Sequence, residues 1–223
     1  MTTHNVKAPK AYKGIAMEGF IAKWYAKTAR RDEEFKRYVS RVNETAAAGS
    51  RVLEVAPGPG YLSIELAKLG KYQVTGLDIS KSFVEIARTN ARQAGVQVDF
   101  RHGNAADMPF ADETFDFVIC TAAFKNFTQP VRAIAEIYRV LRPNGKALIV
   151  DLRRDASPTA INEMVNAMGL NRVNTLLTKW AFKLMLLKSA YTQEEIRQFA
   201  SQTSFGQCEI REDAIGMEIW LEK

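Results

Sequence analysis

The 223-residue sequence has few of the residues from which metal centres and disulfide scaffolds are built. It contains two cysteines, Cys120 and Cys208, and two histidines, His4 and His102, without a CxxC spacing. The sequence therefore predicts neither a Cys/His metal site nor a disulfide framework. Both cysteines lie in apolar runs typical of strands, and we interpret them as buried, reduced thiols.

Long apolar segments are also missing. No run reaches the roughly 18 apolar residues that a membrane-spanning helix requires, and the polar N-terminus lacks the apolar core of a secretory signal. These two absences predict a cytoplasmic protein. Lysine and arginine number 31 against 25 aspartates and glutamates, a formal net charge of +6. Because the basic residues are spread along the chain, a solvated surface is a better interpretation than a nucleic-acid-binding patch.

Apolar strands alternate with amphipathic helices through the middle of the chain. The strands predicted there are VLEVA, YQVTGLDIS, VQVDFRHGNA, FDFVICTAA and KALIVDL. One of the helices between them carries Ile134 and Tyr138 and is predicted to stop at residues 143–145, Pro-Asn-Gly. The final strands, QCEIRE and GMEIWLEK, suggest an antiparallel hairpin at the sheet edge. This order predicts an α/β fold with a doubly wound, mostly parallel, seven-stranded sheet.

The remaining segments predict helices outside this sheet. Residues 1–48 are interpreted as an N-terminal helical cap, and residues 49–223 as the core. The core includes a helical insertion after the fifth strand, at residues 156–190, where no strand pattern occurs. Both helical segments are rich in aromatic residues and methionine, which suits a lid over an apolar or aromatic small molecule. The alternative is that these side chains simply cover the sheet.

A glycine turn, PGPG at residues 57–60, joins the first strand to the helix after it. This arrangement brings the backbone close to a bound nucleotide in α/β folds. Nicotinamide and flavin domains use it too, so the turn alone leaves the nucleotide open. Ser63 occupies the position where the dinucleotide fingerprint has glycine or alanine, and Asp78, at the end of the second strand, suits a ribose diol.

Four segments in order resemble the class I S-adenosylmethionine-dependent methyltransferases, especially the small-molecule branch that includes the ubiquinone and menaquinone biosynthesis enzymes. They are VLEVAPGPG, VTGLDIS, GNAADMPFADETFDFVIC and VLRPNGKALIV, within residues 50–151. The chain departs from the commonest form at Ala56 and Asn144, where glycine is usual. The resemblance implies a Rossmann-like methyltransferase fold with S-adenosylmethionine as the cofactor.

The resemblance also implies roles for single residues. Glu54 is expected to bind the ammonium group of the cofactor, Asp78 its ribose hydroxyls and Asp107 its adenine amine. Gly58 and Gly60 are expected to let the backbone approach the methionine part, where a Cβ would intrude. The full set of implied cofactor-binding residues is Tyr12, Glu54, Ala56, Gly58, Gly60, Asp78, Ile79, Asn104, Ala106, Asp107, Met108 and Thr121.

The expected reaction is methyl transfer from S-adenosylmethionine to a small, apolar or aromatic molecule. The candidate substrate-binding residues are Met17, Trp24, Tyr25 and Trp180. After the fourth strand, where many relatives carry a histidine pair, this chain has Phe-Lys-Asn-Phe at residues 124–127. The general base is therefore unknown, with Lys125 as a tentative candidate. A role in binding an anionic substrate group and an ordinary solvated position are the alternatives for this lysine.

Two other functions stay open, an NAD-dependent oxidoreductase and a protein that binds S-adenosylmethionine without catalysis. Enzymes that methylate nucleic-acid amines carry an Asn/Asp-Pro-Pro-aromatic run after the fourth strand, and this chain has CTAAF there. We therefore expect a small-molecule substrate, no nucleic-acid partner, no metal, and a monomer or homodimer. Brief membrane contact through the lysine-flanked apolar segment 174–188 is a less favoured alternative.

Overall fold

One mostly parallel sheet organises the chain. The computed structural model describes residues 12–13, 17–28, 32–167, 169, 171–181 and 187–223. The strands within these residues are β1 (Arg51–Val55), β2 (Gln73–Asp78), β3 (Asp99–His102), β4 (Phe115–Thr121), β5 (Leu141–Leu152), β6 (Glu209–Glu212) and β7 (Gly216–Glu222). They lie in the order β3-β2-β1-β4-β5-β7-β6, and among these described strands β7 runs antiparallel to the other six. The predicted doubly wound, seven-stranded sheet is confirmed.

Helices cover both faces of this sheet. They are α1 (Gly19–Thr28), α2 (Asp32–Thr45), α3 (Tyr61–Lys68), α4 (Lys81–Gln93), α5 (Pro130–Val140), α6 (Pro158–Ala167), α7 (Arg172–Ala181), α8 (Leu187–Ser189) and α9 (Gln193–Ser201). Tyr38 of α2 and Leu66 of α3 join Ile119 of β4 in one buried cluster. Ile134 of α5 and Ile196 of α9 belong to a second cluster on the opposite face. Burial on both faces explains why the central strands read as nearly continuous apolar runs.

The fifth helix ends earlier than the sequence predicted. It ends at Val140, and β5 begins at Leu141, whereas a stop was predicted at residues 143–145. Asn144 lies within this strand with a left-handed backbone (φ 63°), and its N–H donates to the Lys223 carbonyl at 2.8 Å. Asparagine adopts this conformation more readily than most residues, which explains Asn144 at a position where glycine is usual.

Two helices begin with side-chain caps, and the predicted final hairpin is confirmed. Ser80 caps α4, since its Oγ accepts the Phe83 N–H at 3.0 Å. Thr192 and Glu195 form a reciprocal capping box at the start of α9. The last two strands pair as an antiparallel hairpin, with β6 at the sheet edge. These features depend on residues that are close in sequence, so local patterns were sufficient to find them.

Helix α1 packs on α4, and its Tyr25 contacts Phe83 of that helix edge to face. Ala22 and Ala26 are buried, whereas Phe20 and Trp24 are 82% and 58% exposed. These two large side chains therefore do not cover the sheet, and the buried side of α1 is formed by small residues.

The segment that precedes α1 is fixed to the start of α4. The Glu18 carboxylate accepts the Lys81 and Ser82 N–H groups at 3.0 and 3.1 Å. Ser80 Oγ donates to the Met17 carbonyl at 2.5 Å. A carboxylate at a helix N-terminus is stabilised by the unpaired N–H groups of the first turn. These contacts attach residues 17–19 beside the carboxyl end of β2.

Most of the described residues in the insertion after β5 lie in the helices α6, α7 and α8. Ile161 and Val165 of α6 pack with Leu187 in a small buried cluster. On α7, by contrast, Leu176 and Trp180 are 71% and 60% exposed. Among the described residues, no helix combines the length and the apolar character that a bilayer span requires.

The two cysteines differ in their surroundings. Cys120 is buried in β4, as predicted. Cys208 lies one residue before β6 and is only half-buried. Both thiols are free. The interpretation as a buried strand residue is therefore correct for Cys120 and wrong for Cys208.

Candidate cofactor-binding site

The candidate site lies at the carboxyl ends of the parallel strands, between β1 and β4, and is called the crevice below. The strand order reverses at this point, because the chain proceeds from β1 toward β2 and β3 on one side and from β4 toward β5 on the other. Doubly wound sheets bind their ligands outside the carboxyl ends of the strands at such a point. The glycine turn follows β1, Asp78 ends β2, and Thr121 ends β4. The fold therefore brings these three predicted elements to one edge.

The backbone of the glycine turn is left-handed at three positions. The φ angle is 57° at Ala56, 54° at Gly58 and 81° at Gly60. The Ala56 N–H donates to the Leu77 carbonyl at 2.8 Å, which ties this residue to β2. Alanine in this conformation costs about 1–2 kcal/mol, whereas glycine adopts it without strain. The turn thus keeps a glycine-like shape despite the alanine.

The two glycines of the turn are required for different reasons. A Cβ at Gly58 would meet no atom within 4 Å, so this side of the turn faces open space. A Cβ at Gly60 would lie 2.6 Å from Phe100 Cζ and 2.9 Å from Ala87 Cβ. Gly58 therefore has the open approach expected beside a ligand. For Gly60 the structure gives another reason, close packing of the turn against β3 and α4.

Glu54 lies buried in β1 directly before the turn. Its Oε2 accepts the hydroxyl of Ser63 at 2.5 Å, and Ser63 is itself fully buried in α3. Burial raises the pKa of Glu54 from 4.5 to about 7. A cationic ligand group nearby would favour the ionised carboxylate. The role of Ser63 was missed by sequence analysis, although its position one turn into the helix, facing an acid at the strand end, was a usable signal.

Asp78 holds the turn and the start of α4 together. Its Oδ2 accepts the Gly58 N–H at 2.9 Å, and its Oδ1 accepts the Ser80 N–H at 2.8 Å. Burial raises the pKa of Asp78 from 3.8 to about 6. A carboxylate offers about four lone-pair sites, so two protein donors leave capacity for the hydroxyls of a ribose.

The loop after β3 presents one exposed acid between buried neighbours. Asn104 Oδ1 accepts the Ala106 N–H at 2.9 Å, and the Asn104 carbonyl accepts the Asp107 N–H at 3.0 Å. Ala106 and Met108 are buried, whereas the Asp107 side chain is exposed. Ile79, at the exit of β2, is 38% exposed. Both Asp107 and Ile79 are therefore accessible to a ligand at this edge.

Lys125 is not a solvated loop lysine, and that alternative is wrong. It is buried in the turn after β4, where its Nζ donates to Asp151 Oδ1 at 2.9 Å and to the Ala122 carbonyl at 2.5 Å. The Lys125 N–H also donates to Asp151 Oδ2 at 2.8 Å. Ala122 has a left-handed backbone (φ 56°). The lysine and Asp151 therefore hold a strained corner at the exit of β4.

Tyr12 and Lys13 of the N-terminal segment contact the turn that follows β4. Tyr12 forms a β-bridge with Phe127, and the Lys13 N–H donates to the Asn126 carbonyl at 2.7 Å. Burial raises the pKa of Tyr12, and the negative charge of Asp78 adds to this effect. The backbone contacts place Tyr12 beside the turn after β4.

The candidate substrate residues lie on three different segments. Met17 is half-buried beside Ser80, and Tyr25 of α1 contacts Phe83 of α4 edge to face, with ring centroids 5.8 Å apart. Trp180 is on α7, which packs on α6. Three further residues that the lid hypothesis drew on, Met168, Phe182 and Met185, lie outside the described residues.

Comparison with known proteins agrees with this geometry. The model of the methyltransferase domain family matches residues 53–149, which extend from β1 into β5. The ubiquinone/menaquinone biosynthesis C-methyltransferase UbiE of Roseobacter denitrificans is 31% identical over 163 residues, which are 71% of this chain and 63% of that protein. Residues 53–149 therefore form a methyltransferase domain of the class I S-adenosylmethionine-dependent type.

Other methyltransferases are also similar to this chain in sequence or in fold. The O-methyltransferase resE of Aspergillus sclerotiorum is 33% identical over 149 residues, 63% of this chain and 56% of that protein. This chain thus spans between about half and two thirds of the curated relatives' length. The crystal structure of a putative S-adenosylmethionine-dependent methyltransferase from Methanococcus maripaludis has the same fold, with a TM-score of 0.72, 20% identity and 95% coverage of both chains.

The sheet separates this methyltransferase from a dinucleotide-binding domain. A classic dinucleotide domain has the strand order 3-2-1-4-5-6. Here the antiparallel strand β7 lies between β5 and β6. The alternative prediction of an NAD-dependent oxidoreductase is therefore not supported.

The crevice of the methyltransferase fits S-adenosylmethionine, the cofactor of the family. The cofactor needs room beside the turn, an acid for its ammonium, an acceptor for its ribose and an acceptor for its adenine amine. Gly58 leaves one side of the turn open. The three acids follow the strand order, with Glu54 in β1, Asp78 at the end of β2 and Asp107 in the loop after β3. Among the described residues, no group of three or more His, Cys, Asp or Glu side chains is arranged to hold a metal ion.

Alanine substitutions at the two glycines provide a matched test of this site. Both variants lose about 1–2 kcal/mol of stability from the left-handed backbone. Gly60→Ala adds the contact with Phe100, so we expect a larger loss in urea denaturation. Gly58→Ala is expected to stay folded but to bind S-adenosylhomocysteine at least about tenfold more weakly by isothermal titration, because its Cβ enters the ligand space. Wild-type affinity in a folded Gly58→Ala variant would show that this side of the turn does not face the cofactor.

The raised pKa of Glu54 predicts a pH dependence of stability. Between pH 4.5 and about 7 the folded protein holds a proton that the unfolded chain has released. The contribution of Glu54 is therefore fully present below pH 4.5 and is lost, by about 3 kcal/mol, as the pH rises to 7. The difference in unfolding free energy between wild type and Glu54→Gln should show this change across the window. The matched surface variant Glu65→Gln should not, and parallel curves for wild type and Glu54→Gln would contradict the raised pKa.

Proposed function

We propose that this protein transfers a methyl group from S-adenosylmethionine to a small, apolar or aromatic acceptor. The observation that carries the proposal is the crevice itself, where Glu54, Asp78 and Asp107 lie at the carboxyl edge of the sheet beside the open side of Gly58. The names of two relatives, a quinone-biosynthesis C-methyltransferase and an O-methyltransferase, support a small-molecule acceptor. Because these relatives differ in the methylated atom, the proposal does not include that atom.

The protein's part in this reaction is to bind and to orient. When bound, S-adenosylmethionine supplies an activated methyl group on a sulfonium centre. We expect Glu54 to face the ammonium group, Asp78 the ribose hydroxyls and Asp107 the adenine amine, with Ile79 beside the ring. Orientation of the acceptor and exclusion of water then provide most of the acceleration, since a positioned reactant avoids much of the entropic cost of encounter.

The acceptor side is proposed to be closed by the helices outside the sheet. Residues 12–13 contact the turn after β4, and residues 17–19 contact the start of α4 after β2, so the N-terminal segment is attached on both sides of the crevice. This attachment supports a covering role for the segment. The residues proposed to border the acceptor remain Met17, Trp24, Tyr25 and Trp180. A cytoplasmic location, a monomer or homodimer, and the absence of nucleic-acid partners likewise remain predictions.

We propose a positioning role for Lys125 instead of proton transfer. Its ammonium group donates to Asp151 and to the Ala122 carbonyl, so two of its three protons are engaged within the protein. A general base must instead offer a free lone pair toward the reacting group. The pair supports the backbone at the exit of β4, where the acceptor is expected.

Cofactor binding and methyl transfer test the proposed function together. We expect S-adenosylmethionine to bind with micromolar affinity, typical of enzyme substrates, and NADH to bind at least about a hundredfold more weakly. Transfer of labelled methyl from the cofactor to a panel of phenols, quinols and hydrophobic amines should reveal the acceptor class. Preferential binding of NADH would overturn the proposal. Tight cofactor binding without transfer to any acceptor class would favour the non-catalytic alternative.

Two variants separate the roles of Lys125. Lys125→Met leaves the Asp151 carboxylate buried without its cation, and we expect a loss of about 3–5 kcal/mol in unfolding free energy. The double variant Lys125→Met/Asp151→Asn removes both charges and should recover most of that loss. If Lys125 only positions the backbone, the double variant keeps turnover within about tenfold of wild type. A loss beyond about a hundredfold in a stable double variant would indicate proton transfer by Lys125.

A further inference from the structure

The loop between β3 and β4 (residues 104–112) is held by one arginine of α5. The Arg139 guanidinium donates to the Met108 carbonyl at 3.0 Å and to the Phe110 carbonyl at 2.7 Å. It also donates to the Asp112 carboxylate at 2.8 Å. One side chain therefore fixes three positions along the second half of this loop.

Glu136, one turn earlier on α5, completes the arrangement. It accepts two N–H groups of Arg139, at 2.7 Å on Oε1 and 2.8 Å on Oε2. The same Oε2 accepts the Met108 N–H at 2.7 Å. All five N–H donors of the guanidinium thus have an acceptor, and Met108 is held through both its N–H and its carbonyl. The hydrogen bonds from Arg139 lower the pKa of Glu136, which keeps the carboxylate ionised.

The direction of the Asp107 carboxylate depends on how the backbone on either side of it is held. Its N–H is held by the Asn104 carbonyl on one side, and the next residue, Met108, is held by α5 on the other. Among the described residues, none donates a hydrogen bond to the exposed Asp107 carboxylate. The backbone on its two sides therefore determines where this carboxylate points.

We propose that Arg139 and Glu136 are positioning residues that make the cofactor site selective for an adenine base. This inference rests on the proposed function, in which Asp107 accepts a hydrogen bond from the adenine amine. A carboxylate accepts from an amine but repels a carbonyl oxygen at the same place, and this discrimination depends on hydrogen-bond distance and angle. Loosening of the 104–112 loop removes the discrimination even when the ligand still binds.

Lysine is not a substitute for Arg139. An ammonium group has three donors on a flexible stem, whereas the guanidinium presents five in a planar fork. Arg139→Lys therefore keeps the charge and loses the simultaneous contacts to Glu136 and the loop carbonyls. The matched control is Arg142→Lys. Arg142, in β5 just after the helix, donates to both oxygens of Asp116 at 2.8 and 3.1 Å and to the Glu113 carbonyl at 3.3 Å, so its contacts begin one residue beyond the 104–112 loop.

The test compares two ligands that differ at one group of the base. S-Adenosylhomocysteine carries the amine, and S-inosylhomocysteine carries a carbonyl oxygen in its place. By isothermal titration we expect wild type and Arg142→Lys to prefer the adenine ligand by roughly ten- to a hundredfold. In Arg139→Lys the preference should fall below about threefold. Thermal unfolding of each variant accompanies the titrations, because a purely structural effect weakens both ligands equally and leaves the ratio unchanged.

The outcomes separate this inference from the proposed function. A folded Arg139→Lys variant with the wild-type ratio overturns the positioning role, and so does a wild type that binds both ligands equally. A wild type that binds neither ligand overturns the proposed function. If Arg139→Lys does not fold, Glu136→Gln replaces it, since one amide oxygen cannot serve both Arg139 and the Met108 N–H in the same way. The same loss of preference is then expected, and an unchanged ratio overturns the inference.

Discussion

Two hydrogen bonds to the Asp78 carboxylate hold the crevice of this methyltransferase together. They come from the Gly58 and Ser80 N–H groups, and they join the end of β2 to the glycine turn and to the start of α4. Ser80 in turn donates to the Met17 carbonyl, so the same point fixes the segment that leads into α1. The shape of the turn, the place of the N-terminal segment and the proposed ribose ligand therefore all depend on one side chain. Its role in folding and its proposed role in binding are inseparable.

Other buried polar groups at the crevice are hydrogen-bonded across different elements of the fold. Ser63 of α3 donates to Glu54 of β1, and Lys125 after β4 pairs with Asp151 of β5. Loss of a partner in such a place costs about 1–3 kcal/mol for a neutral group and about 3–5 kcal/mol for a charge, so each pair favours one orientation of its strand end. The result is a rigid edge on which polar groups are already oriented before a ligand arrives, the arrangement that favours catalysis by positioning.

Much of the fold followed from local patterns. The strand and helix order, the glycine turn and the final hairpin were all predicted, since each depends on residues within a few positions of one another. The end of α5 was predicted too late, because the pairing of Leu141 with Phe115 extends β5 backward toward the helix. The contacts of Arg139 with the 104–112 loop were missed, because they join residues that are far apart in sequence. Arg139 and Met108, for example, are separated by 31 positions.

The sequence by itself determined the fold class, the family and the likeness of its cofactor motifs, because periodicity and motif spacing are properties of the chain before it folds. Only the tertiary structure decided the partner of each buried polar group. Lys125 stands in a loop that looks solvated in the sequence, and Gly60 looks like a ligand-facing glycine. Their surroundings, Asp151 for the lysine and Phe100 for the glycine, come from other strands. Which strand ends become neighbours is set by the order of the whole sheet, and no local pattern contains that order.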